Sequence, residues 1–235
     1  FLSKPKNQLN QQFLGHGVGH DPGTIMNSDD CLIIIDVQND FCPGGALAVP
    51  EGDAVVTVIN SLARVFSHRI LTQDWHPADH RSFASNHPGA SVMQTAVLDY
   101  GPQVLWPDHC VQGSAGAEFH SGLETQGCEM IVRKGFRPEI DSYSAFYEND
   151  QHTSTGLAGC LREREFQKLY LAGLATDFCV LYSALDGRKE GFEVYLIEDA
   201  CRAIDLDGSL AVALDQMKRA DIHLVQSAAL LSRSS

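Results

Sequence analysis

A chain of 235 residues, 44% of them hydrophobic, has apolar material for one large α/β domain or two small ones. Its formal charge of −13 argues against nucleic acid or an anionic membrane surface as partner, and no apolar run approaches the roughly 20 residues of a membrane span. The seven cysteines are scattered and form no C-x-x-C pair, and no leader with an apolar core is visible; both features lead to the expectation of a reduced, cytoplasmic protein.

Residues 1–30 are rich in Gln, Asn, Gly and His and keep no period, so they are expected to form an extension outside the fold, with 31–235 as a single domain. The first strand is expected at 31–36, "CLIIID", and the first helix at 52–66, where apolar residues recur on a helical period. A second strand follows at 68–74, "HRILTQD". The stretch 75–128 fits no regular pattern and is expected to be a functional excursion over the sheet edge. Strands are then expected at 129–134, 168–174, 192–199 and 221–226. Helices are expected between them at 154–165, with Ser154 or Thr155 as cap, at 176–190, with Thr176 or Asp177 as cap, and at 207–220, with Asp207 as cap. Most strand runs are continuously apolar, as in strands covered on both faces, and their alternation with helices predicts a doubly wound α/β fold with a mainly parallel sheet.

Reactive residues recur where these strands end. Asp36 closes the first, Asp74 the second and Lys134 the third, while Leu174-Ala175 close the fourth and lead to Cys179. The carboxyl edge of an open α/β sheet is where ligands bind. Cys179 falls in the first turn of a helix, where free N–H groups favour thiolate. Asp36 and Lys134 follow apolar runs and form with Cys179 a cluster able to share protons, or else an ion pair between neighbouring strands. The loop "TQDWHPADH" offers Asp74, His76 and His80 within a few positions, either as part of a metal site or as a polar loop that happens to hold histidines.

The segments "IIIDVQNDFCPGGAL", "QDWHPADHRSF", "WPDHCVQGSAGAEFH", "VRKG" and "LAGLATDFCV" together resemble the motif set of nicotinamidases, also called pyrazinamidases, among the isochorismatase-like cysteine hydrolases. The likeness runs from about residue 31 to 226. It implies a six-stranded parallel sheet flanked by helices and a catalytic triad of Asp36, Lys134 and Cys179. It further implies a divalent metal, Zn²⁺ first with Fe²⁺ or Mn²⁺ as alternatives, on Asp74, His76 and His109, with His80 as candidate fourth ligand. The implied oxyanion hole is the backbone of Ala175 and Cys179, after a cis Leu174–Ala175 peptide. Phe41 and Trp106 match ring-sandwiching positions, and Tyr143 closes the pocket. The implied reaction is deamination of nicotinamide to nicotinate and ammonia through a thioester, in NAD salvage, with pyrazinamide as a further substrate. The partner is thus a small molecule, with self-association left open. Other readings are another amidase of the superfamily, a non-catalytic metal- or ligand-binding protein of this fold, and a thiol redox protein; the missing C-x-x-C and the presence of Lys134 count against the last.

Overall fold

The computed structural model describes residues 27–232. Most of the extension expected over 1–30 therefore lies outside the described residues.

Six strands form one parallel sheet in the order β5-β2-β1-β6-β7-β8. They are β1 (Asp30–Ile35), β2 (His68–Asp74), β5 (Met130–Lys134), β6 (Lys168–Leu174), β7 (Glu193–Arg202) and β8 (His223–Val225). The central strands are apolar throughout because both of their faces are covered. Leu32 and Ile34 of β1, with Tyr170, Ala172 and Leu174 of β6, pack in one core with Val55, Ile59 and Leu62 of α1 (Val55–Ala63) and Leu230 of α5 (Ser227–Leu231). Cys31, Ile33 and Ile35, with Leu169 and Leu171, pack in the other. That second core contains Leu161 of α2 (Leu157–Glu163), Ala184 of α3 (Leu181–Lys189) and Met217 of α4 (Ser209–Arg219). The fold is the doubly wound α/β sandwich that the alternation predicts. No helix among the described residues is long and apolar enough to cross a membrane.

The chain departs from expectation at several helix starts. Asp177 does not cap the turn Thr176–Val180 in which it lies. Its carboxylate instead accepts from the backbone N–H of Ile204 at 3.0 Å and of Asp205 at 2.7 Å and from Ser209 Oγ at 2.5 Å, tying down the loop after β7. Asp207 does not cap α4 either; it sits at φ 51°, and the preceding acidic residue, Asp205, accepts from Leu210 N at 3.2 Å. The excursion over 75–128 is not wholly irregular. It includes an antiparallel hairpin of β3 (Thr95–Leu98) and β4 (Gly101–Val104) that stands at the surface, with Val97 83% exposed.

Candidate active site

β1 is central, and the chain leaves it first towards β2 and β5 and later, on the other side, to β6. The crevice at the carboxyl ends of β1 and β6 is thus a topological switch point. β1 ends where Asp36 turns into the left-handed region at φ 47°. Its carboxylate is fully buried and accepts from Thr72 Oγ1 at 2.5 Å. Lys134, at the end of β5, is also fully buried. Its Nζ stands 2.8 Å from Asp36 Oδ2, donates to Asp74 Oδ1 and to Ser142 O at 2.8 Å, and reaches Cys179 Sγ at 3.4 Å. Carboxylate oxygens of Asp36 and Asp74 and the sulfur of Cys179 all lie within 4.8 Å of one another.

One ammonium facing two carboxylates splits their titration. Burial pushes Asp36 up to about 6 against the pull of Lys134. Burial would raise Asp74 as well, but Lys134, His76 and His109 hold it well below the usual carboxylate range. Lys134 is held well above the ordinary range: burial opposes its charge, and Asp36, Asp74 and Cys179 overcome that opposition. The thiol corrects an expectation. Cys179 lies in a π-helical turn, Thr176–Val180, ahead of α3, and burial pushes its thiol well above the ordinary value, with Lys134 the main counterweight. Desolvation outweighs whatever the turn's N–H groups contribute, so the resting group is a thiol that needs a proton acceptor.

Asp74, His76 and His109 bring one ligand atom each to within 4.8 Å of the others. Asp74 Oδ2 is 3.6 Å from His76 Nε2 and 3.9 Å from His109 Nε2. Each ring's Nδ1 lies 2.8 Å from a backbone carbonyl, Gly135 O for His76 and Pro107 O for His109. A carbonyl only accepts, so each Nδ1 carries a proton and Nε2 is the nitrogen turned towards Asp74. Burial opposes a charge on His76, but Asp74 overcomes it and raises the ring above its ordinary value, so a divalent ion bound here would displace a proton from His76. Two imidazoles steadied by carbonyls, beside an ionised carboxylate, suit such an ion. Gly135 makes the His76 contact feasible: a Cβ there would stand 2.4 Å from the ring. Burial, aided by the neighbouring His76, holds His109 down to about 4, which keeps its ring neutral.

His80 is not brought into this group. Its ring centroid is 4.4 Å from that of His76, but its ligand atom clusters with His76 and Asp141 instead. Ser82 N donates to His80 Nδ1 at 3.2 Å, leaving Nε2 to face Ile140 O at 3.3 Å, so neither nitrogen is free in this arrangement.

Phe41, Trp106, Tyr143, Ala175 and Cys179 line one pocket with Asp74 and His109. Tyr143 OH accepts from Trp106 Nε1 at 3.1 Å and from Gln103 Nε2 at 2.8 Å, and the Leu174–Ala175 peptide is cis. Reading the chain alone missed Phe178, Asp141, Leu47 and Ile204 on the same wall. Phe178 was discoverable as the neighbour of the nucleophile candidate; the other three carry no local signal.

Residues 30–229 match the profile of the isochorismatase domain. The chain is 52% identical to the nicotinamidase of Acinetobacter baylyi over 88% of its own length and 97% of that protein. Its fold is similar to a solved Acinetobacter baumanii nicotinamidase/pyrazinamidase (51% identity, 87% and 99% coverage, TM-score 0.86). It is also similar to a Pyrococcus horikoshii pyrazinamidase solved in complex with zinc (37% identity, 84% and 99% coverage, TM-score 0.69).

Proposed function

The chain belongs to the isochorismatase family, and from that membership and the close likeness to nicotinamidases we infer that it hydrolyses nicotinamide to nicotinate and ammonia, and pyrazinamide likewise. The observation that carries the assignment of roles is Lys134 Nζ, which touches Asp36, Asp74 and Cys179 at once and so joins a thiol and its base to a metal-ligand candidate.

Asp74, His76 and His109 would hold a divalent ion, Zn²⁺ by preference, which would supply Lewis-acid chemistry for orienting the substrate ring. Phe41, Trp106 and Tyr143 enclose the ring and exclude water. Asp36 takes the proton from Cys179 Sγ as the sulfur bonds to the carboxamide carbon. The Lys134 ammonium, fixed beside both groups, stabilises the negative charge as it passes between them. Backbone N–H groups of Ala175 and Cys179 receive the oxyanion. Asp36 then returns the proton to the departing nitrogen as the C–N bond breaks, releasing ammonia. It next draws a proton from water, which attacks the thioester carbon; the C–S bond breaks and the sulfur is reprotonated. A carboxyl group near 6 serves both the accepting and the donating step at neutral pH. All seven cysteines are free, which supports a reducing, cytoplasmic setting.

The test is ammonia release from nicotinamide by the Zn²⁺-loaded protein and by Cys179→Ala. Wild type is expected to turn over, and the variant to lose at least about a hundredfold in rate while retaining its metal. A variant with near wild-type turnover would remove the covalent route.

A further inference from the structure

The polar run Gln38-Asn39-Asp40 has no part in the chemistry above, yet it joins the end of β2, which carries Asp74, to the loop that carries His109. The pairing of β1 with β2 runs from Cys31–His68 to Ile34–Leu71, and the chain then turns away at Asp36. β2 continues to Asp74, paired on its other side with Lys134. Successive residues of a strand direct their backbone groups alternately to the two neighbours. Trp75 N donates to Lys134 O at 3.0 Å, so the N–H and C=O of Asp74 face the side that β1 has left.

The Gln38 side chain takes that place. Its Oε1 accepts from Asp74 N at 2.8 Å, and its Nε2 donates to Asp74 O at 2.9 Å and to Ala117 O at 2.9 Å. The pattern fixes the amide's orientation, since only oxygen accepts from N–H and only NH₂ donates to two carbonyls. Gln38 is fully buried, so these bonds have no water to replace them. Asn39 Nδ2 donates to Ala115 O at 2.8 Å. Asp40 accepts from Cys110 N at 2.7 Å through Oδ2 and from Ala46 N at 3.1 Å through Oδ1. Cys110 directly follows His109 and sits at φ 46°, a conformation a non-glycine residue keeps only where its surroundings hold it. Its carbonyl in turn accepts from His76 N at 3.0 Å. The Asp40 carboxylate reaches this turn only because position 116 is glycine; a Cβ there would stand 2.0 Å from Oδ2.

We propose that Gln38 and Asp40 are positioning residues of the metal centre, Gln38 acting through the backbone of Asp74 and Asp40 through the backbone that follows His109. The inference rests on the reading of Asp74, His76 and His109 as ligands. One short segment sets the spacing between a ligand at a strand end and one in a loop before the ion arrives, which lowers the ordering cost of binding it.

The experiment is the dissociation constant for Zn²⁺, by chelator competition, in wild type, Gln38→Met, Asp40→Asn and Leu161→Ala. Met keeps the length of Gln without its hydrogen bonds, and Asn leaves one acceptor oxygen for two N–H donors. Leu161→Ala opens a cavity in α2 and controls for loss of stability alone. Gln38→Met and Asp40→Asn are expected to bind Zn²⁺ about 10–100-fold more weakly. Leu161→Ala is expected to melt at a lower temperature with wild-type affinity. Wild-type affinity in the first two variants, or an equal loss in Leu161→Ala, overturns the proposal. If Gln38→Met does not fold, the partly exposed Asp40→Asn decides. A wild type that binds no Zn²⁺ at all overturns the ligand assignment itself, a result separate from the others.

Discussion

Two buried carboxylates face a single ammonium at Lys134, and their shifts in opposite directions assign them different work. Asp74, held ionised, is suited to a fixed role, whereas Asp36, raised to about 6, is suited to exchanging a proton. As the proposed base, Asp36 must be ionised to accept the Cys179 proton. Turnover is therefore present above its pKa and lost below it: kcat/KM for nicotinamide is expected to fall about tenfold per pH unit once pH drops below about 6. Asp36→Asn should abolish this limb together with the activity. Asn is the apt replacement because, like Asp, it tolerates the left-handed backbone at φ 47°. A profile that stays level well below the Asp36 pKa would disqualify the residue as the base.

The π-helical turn Thr176–Val180 both presents Cys179 and, through Asp177, anchors the loop that carries Ile204 into the pocket. Asp177→Ala is expected to lower stability by about 2–4 kcal/mol, since hydrogen bonds to a carboxylate contribute about 1.5–3 kcal/mol each and do not add fully. It should raise KM for nicotinamide several-fold with kcat little changed, because the loop shapes the pocket and does not touch the reacting atoms. Chemical denaturation and steady-state kinetics check both parts; an unaltered KM would show that the tether does not shape the pocket. Asp177 also marks where legibility ends. Its place before an amphipathic run reads as a cap, and nothing local distinguishes a cap from an acceptor for N–H groups 27 and 28 residues away. The strands were legible because burial on both faces leaves long apolar runs, as in "LIII" of β1. The β3–β4 hairpin was not, since it has little buried face to imprint a pattern. Asp36, Asp74 and Lys134 could be read from strand ends, whereas His109 emerged only through the resemblance, because it lies in the irregular excursion. The clamp made by Gln38 was hidden for another reason: a side chain replacing a backbone neighbour has no periodicity.

At the scale of the molecule, the two cores secure β1 and β6 on every side, and the site borrows its rigidity from them. Lys134 is the exception in placement. It belongs to β5, which stands at the edge of the sheet and pairs, among the described residues, with β2 alone. Ile131 is 51% exposed on the same strand. An edge strand is the part of a sheet most ready to open locally, at a free energy below that of global unfolding. The proposed catalytic competence is thus tied to an edge strand, and its thermal lifetime is expected to be shorter than that of the fold. On gentle heating, activity should decline before the loss of far-ultraviolet circular dichroism, while amides of Met130–Lys134 exchange with deuterium ahead of those in Asp30–Ile35. Coincident loss of both signals, with uniform exchange across the sheet, would mean that the edge is as durable as the centre.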